Sequence, residues 1–237
     1  MHLYLNKRSH LNSSYYNEDR HVLYKVETPN RFFSRVTTIK SALPGDICPR
    51  PSPSKTNGDH HSPQYELFGD KDVKGDITYD EGPDDVDEKE PESEAPDGDI
   101  LLPDRFAHLA TIQFANIGSS RIRYGGEEHE TGKFLTKKEL NVFGQNRVFT
   151  GPDGLEYKWK LGFRAPELVR NDTTRTPIAR FHRRRLGLFR KQPPASLEIL
   201  PEGMHMIDLI MVTFVFIQKI RNDNERAASA GNTTIVE

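Results

Sequence analysis

Residues 206–217 read Met206-Ile207-Asp208-Leu209-Ile210-Met211-Val212-Thr213-Phe214-Val215-Phe216-Ile217, a run whose only polar members are Asp208 and Thr213. A bilayer-spanning helix takes about 20 predominantly apolar residues, whereas a run of about 10–14 more often marks a core helix. The β-branched and aromatic content would also suit a buried strand. The segment continues through Gln218–Ala228, rich in helix formers and free of turn signals, which makes it too long for a strand. The spacing therefore predicts a helix over about 203–228 and no transmembrane span. A helix apolar on all sides must be surrounded by protein. Everything else in the chain has to supply that surround.

The remaining pattern is mostly strand. His21–Val26 alternates apolar and polar residues, and 31–43 carries Phe33, Val36, Thr37, Thr38 and Ile39. Leu109–Phe114 and Arg121–Tyr124 follow, the latter closed by Gly125-Gly126. The clearest hairpin is 147–150 and 156–161 around Gly151-Pro152-Asp153-Gly154, whose Pro-Asp-Gly order has defined turn chemistry. A second runs from Glu167–Arg170 through Asn171–Thr174 into Pro177–Arg183, and Gly187–Phe189 and Ser196–Leu200 complete the set. Some ten strands and one buried helix predict a closed sheet with the helix through its middle.

Residues 44–103 break this pattern. They hold nine of the chain's 16 prolines, and their 17 acids against five bases give a net charge of −12. Low hydrophobicity, high charge and dense proline bury too little surface to offset the entropy of ordering, so this span reads as a disordered acidic insertion. Subtracting its −12 from the chain's −2 leaves +10 on the other 177 residues. The expected division is 1–43 for the first strands, 44–103 for the insertion, 104–228 for the remaining strands and helix, and 229–237 for a disordered tail. One cysteine, Cys48, excludes an internal disulfide or multi-cysteine zinc site. Lys7, Arg8 and Arg20 without an apolar run speak against a signal peptide, so the expected location is cytoplasmic, peripheral at membranes, or nuclear.

Four strings carry a family resemblance: Leu23-Tyr24-Lys25-Val26-Glu27-Thr28-Pro29, Tyr157-Lys158-Trp159-Lys160-Leu161-Gly162, Ala179-Arg180-Phe181-His182-Arg183-Arg184, and Leu197-Glu198-Ile199 followed by Pro201-Glu202-Gly203. In these the chain resembles a basidiomycete fungal family of uncharacterised proteins, the domain of unknown function 6593, over roughly 3–43 and 105–228. That family transfers no catalytic residues. The order of strands ending in a Pro-x-Gly turn and an apolar C-terminal helix is also similar to the tubby-like barrels, including the LURP-one-related proteins and the phospholipid scramblases. The resemblance implies a mainly β, tubby-like (LURP-one-like) barrel of about ten to twelve strands around a buried C-terminal helix. It also implies a barrel surface of the kind tubby uses for phosphoinositide headgroups.

The most suggestive chemistry is a basic run, Arg180, Arg183, Arg184, Arg185, Arg190 and Lys191, six positive charges in twelve residues with His182 among them and no acid. Strand alternation would put Arg183 and Arg185 on one face and His182 and Arg184 on the other, with the turn at Leu186-Gly187 gathering the guanidinium groups at one rim. Arginine forks suit phosphate; the bland reading is a solvated strand end partly neutralised by the insertion. No aromatic stacking platform accompanies the arginines, which disfavours nucleic acid. Asp70, Asp72, Asp76 and Glu81, with Gly75 between, match calcium-loop spacing, but Lys74 sits where a ligand oxygen belongs and Gly82-Pro83 follows where a helix should start. His60-His61 beside Asp59 reads as exposed loop. Asp208 reads as a first-turn residue favoured by the helix dipole, with a buried functional carboxylate as the alternative.

No nucleophile elbow, phosphate loop, dinucleotide fingerprint or zinc pattern is present. The expectation is a non-enzymatic binding module, with no cofactor, for anionic membrane lipids or an acidic protein partner. Its rivals are a hydrolase or transferase with a site at a barrel mouth, and an interaction module working through the insertion.

Overall fold

Thirteen strands hydrogen-bond into one antiparallel sheet in the computed structural model, which describes residues 1–29, 35–43, 105–115, 118–141, 144–162, 165–184 and 193–231. The expected insertion 44–103 and strand 187–189 lie outside these residues. In chain order the elements are β1 (His2–Leu5), β2 (Ser13–Tyr16), β3 (Val22–Glu27), β4 (Arg35–Ala42), β5 (Phe106–Phe114), β6 (Arg121–Tyr124) and β7 (Glu127–Glu130). A short helix α1 (Thr131–Phe134) leads to β8 (Thr136–Asn141), β9 (Gly144–Thr150), β10 (Glu156–Leu161), β11 (Pro166–Arg170), β12 (Pro177–His182) and β13 (Ser196–Ile199). A 3-10 turn (Pro201–Met206) then opens α2 (Ile207–Gly231), which runs past the expected end at 228.

The strands keep the period of two that half-buried strands require. Val22, Tyr24 and Val26 are buried on β3, and Tyr157, Trp159 and Leu161 on β10. In the sheet the order is β7-β6-β5-β4-β3-β2-β1-β13-β12-β11-β10-β9-β8. Every pairing joins sequence neighbours except that of β1 with β13, where Leu3 lies opposite Leu197.

The expectation of a closed barrel of about ten to twelve strands is corrected, and parity gives the reason. In an all-antiparallel sheet of 13 strands the first and last point the same way. Joining β7 to β8 would need a parallel pair, and parallel neighbours need a crossover of about a dozen or more residues. Only Thr131–Leu135 connects them, and this stretch occupies the seam itself, burying Thr131 and Leu135. The two free edges, Glu127-Glu128-His129-Glu130 and Thr136-Lys137-Lys138-Glu139, carry the charges that discourage edge-to-edge pairing.

The helix is enclosed as the apolar run demands. Pro201–Ser229 is long and apolar enough to cross a membrane by composition, yet its most apolar window is 67% buried within the protein. Every residue from Leu209 to Gln218 is buried. Both halves of the sheet reach it: Phe216 stacks on Phe114 of β5 at 5.9 Å between ring centres, while Phe214 packs against Phe181 of β12 at 5.0 Å and Trp159 of β10 at 6.1 Å. Each fully buried large apolar side chain contributes about 1.5–3 kcal/mol. Gly203 lets the 3-10 turn close onto this core, because a Cβ there would sit 2.9 Å from the Ile178 side chain and 3.0 Å from that of Ile210.

A polar contact joins the helix to the sheet inside the core. The Trp159 indole N–H donates to the Thr213 hydroxyl at 3.0 Å, and that hydroxyl donates to the Leu209 carbonyl at 2.8 Å. Thr213→Val keeps the shape but leaves the indole N–H without an acceptor. The expected loss is about 1–3 kcal/mol in urea denaturation, with Thr213→Ser retaining the hydrogen bond and the smaller part of that loss.

The insertion lies inside a single hairpin, since β4 and β5 pair along their length with Ala42 opposite Phe106. Joining Leu43 to Asp104 through a short linker therefore closes a hairpin whose ends already meet. Loop length changes closure entropy by only about 0.6 kcal/mol per doubling, so the deletion protein is expected to keep its near-ultraviolet circular dichroism. Loss of that signal would make residues 44–103 part of the folded core.

Candidate functional site at the basic end of the sheet

Strand register gives the sheet two ends. One holds the β1–β2 connection, the end of β12 and the later turns of α2. Leu5 N–H donates to the Ala195 carbonyl at 2.9 Å, which sets the β1–β2 connection beside the chain entering β13. The Thr28 hydroxyl donates to the Leu11 carbonyl at 2.9 Å, bringing the end of β3 to the same place. The helix joins through Asn222, whose side chain lies 3.4 Å from His10 Nδ1.

The structure divides the predicted basic run. Arg180 lies on the outer face of β12 and pairs with Glu167 of β11 at 2.9 Å, so it stands on the sheet wall and not at the rim. His182 meets Glu198 at 2.7 Å, and the strand stops there, so the expected alternation does not continue at Arg183 and Arg184. Arg183 bends back to Glu225 of α2 at 2.5 Å. Arg184 is exposed and makes no ion pair among the described residues. Arg185, Arg190 and Lys191 lie outside the described residues, as do Asp70, Asp72, Asp76, Glu81, His60, His61 and Cys48. Among the described residues no group of three His, Cys, Asp or Glu could hold a metal ion.

Other basic residues join Arg183 and Arg184. Lys7 and Arg8 are exposed on the β1–β2 connection, and Lys219, Arg221 and Arg226 come from α2. Arg221 is fully buried; it donates to the Gly162 carbonyl and pairs with Glu225 at 2.9 Å. Burial first, and then Arg183 close by, lower its pKa. Sequence reading missed the helical part although a signal was present: Lys219, Asn222 and Arg226 follow the i, i+3, i+7 spacing of one helix face. Exposed ion pairs such as Arg183–Glu225 are worth about 0–1 kcal/mol and exchange readily for another anion.

With fold and site in view, the class is that of a β-sheet protein curled on a core helix, with one basic end. The profile of a family of unknown function, DUF6593, matches residues 8–223, and the chain belongs to that family. No curated protein matches the chain. No solved structure matches it.

His10 reports the electrostatics of this end. Burial chiefly, with Lys219 and Arg226 adding repulsion, holds its pKa down to about 3. Its unfolded value is near 6.5, so the native state binds fewer protons than the unfolded one between those limits. The stability contribution is thus complete above about pH 6.5 and falls as pH drops toward 3, by at most about 1.4 kcal/mol per unit. His10→Gln should flatten the pH dependence of urea stability across that window. An unchanged slope would show that His10 is not the titrating group.

Proposed function

We propose that the chain is a non-enzymatic binding module that docks its basic end on the anionic headgroups of a membrane. The observation carrying this reading is the adjacency of Lys7-Arg8 and Arg183-Arg184 on neighbouring connections at one end of the sheet. The sequence that follows Arg184 adds Arg185, Arg190 and Lys191 with Leu186, Leu188 and Phe189 between them. Two further connections join strand ends at this same end, and their sequences hold Arg31-Phe32-Phe33 and Phe163-Arg164. Basic residues interleaved with aromatic and aliphatic ones suit the membrane interface, where the charges meet phosphates and the apolar groups enter the headgroup layer.

On this reading the protein works at the cytoplasmic leaflet, which carries the anionic lipids. A curled antiparallel sheet around an apolar C-terminal helix also supports reading the fold as a relative of the tubby-like and LURP-one-related barrels, opened at one seam.

Each basic residue near an anionic surface is worth about 1 kcal/mol, and about 1.4 kcal/mol makes a decade in affinity. Replacing Lys7, Arg8, Arg183 and Arg184 with Ala should therefore weaken co-sedimentation with phosphoinositide vesicles by roughly a hundredfold or more at low salt. Neutral phosphatidylcholine vesicles should bind neither form. Equal binding by wild type and variant would sink the proposal. Tight, charge-dependent binding to soluble polyglutamate with none to vesicles would favour an acidic protein partner instead.

A further inference from the structure

The opposite end of the sheet carries a second site, independent of the basic end. A cleft of about 570 Å³ opens there above the start of α2. Its walls come from both sides of the unclosed seam: Tyr24 of β3 and Tyr124 of β6 on one side, the turn after β9 beginning at Thr150 on the other, and Phe134 of the seam helix between them. Met204 of the 3-10 turn, 44% exposed, stands in the lining, and Asp208 in the first turn of α2 supplies the carboxylate.

The Tyr24 hydroxyl donates to Asp208 Oδ1 at 2.6 Å, and no other hydrogen bond to this carboxylate exists among the described residues. Burial and then the Asp208 charge raise the pKa of both Tyr24 and Tyr124, so their rings stay neutral and electron-rich. The positively chargeable lining residue, His205, is directed to Asp153 at 3.4 Å. The cleft therefore offers a negative charge with spare acceptor capacity among aromatic faces, and no lysine or arginine among its described lining residues.

A first-turn carboxylate is favoured by the helix dipole alone; the dipole does not call for three aromatic rings around an open cavity. A metal ion needs more oxygen ligands than one carboxylate provides, whereas an organic ammonium is held by an aromatic face and a single counter-charge. The geometry points to a binding site for a small organic ammonium ion with an apolar body, seated between Tyr24, Tyr124 and Phe134 with its charge toward Asp208.

Isothermal titration of the full chain with hexyltrimethylammonium, hexanol and hexanoate tests this. Only the ammonium should bind. Asp208→Asn should weaken it at least tenfold while leaving vesicle binding by the basic end unchanged. Tyr124→Leu, which keeps the apolar bulk but removes the ring face, should weaken it several-fold, and it carries the test if Asp208→Asn fails to fold. Hexanol binding as tightly as the ammonium would reduce the cleft to a greasy groove. Unaltered ammonium affinity in a folded Asp208→Asn or Tyr124→Leu protein would overturn the assignment.

Discussion

A helix buried from Leu209 to Gln218 needs a wall on every side, and no single face of a flat sheet can provide one. The thirteen strands supply it by curling until β5 meets the helix through Phe114 and β12 meets it through Phe181. Trp159 ties the helix to β10, since its buried indole N–H donates to the Thr213 hydroxyl. The open seam follows from the odd strand number, and the cleft follows from the seam. The core helix thus sets the curvature, and the curvature sets where the surface opens.

The same helix also polarises the molecule. Its first turn carries Asp208, where the positive end of the macrodipole favours a carboxylate, and its later turns carry Lys219, Arg221 and Arg226. An acidic, aromatic cleft and a basic rim therefore stand toward opposite ends of α2. Arg221 shows how far this goes: a fully buried guanidinium is tolerated because the Gly162 carbonyl and Glu225 both receive it.

Much of the fold was legible in the sequence wherever burial left a periodic trace. β3, β6, β9, β10, β12 and β13 all carry alternating or β-branched patterns, and α2 announces itself by composition. β7 and β8 left no such trace, because edge strands are built from Glu, His, Lys and Asn and bury almost nothing. β1 and β2, four residues each, were not read as strands either. The basic run was visible as charge, but its division between rim and wall was not: that depended on β12 ending at His182 and on Glu167, Glu198 and Glu225 waiting on three other elements. The cleft was invisible, since Tyr24, Tyr124, Phe134 and Asp208 are scattered in sequence and converge only when the sheet curls.

The sheet order, taken from one edge to the other, is β8 to β13 followed by β1 to β7 reversed in no respect but its starting point: two up-and-down meanders joined at β1 and β13. Every other pairing is between sequence neighbours and most span a short connection, but Ala42 must find Phe106 across residues 44–103, and His2 must find Glu198 across nearly the whole chain. The assembly of this protein should accordingly combine fast local hairpins with two slower encounters, β4 with β5 and β1 with β13, and the apolar helix is left unsheltered until the last of them succeeds. Amide exchange pulsed during refolding would show Leu3 and Leu197 protected last. A chain of this design carries its aggregation risk in kinetics, in the interval during which a membrane-like helix has only half of its wall.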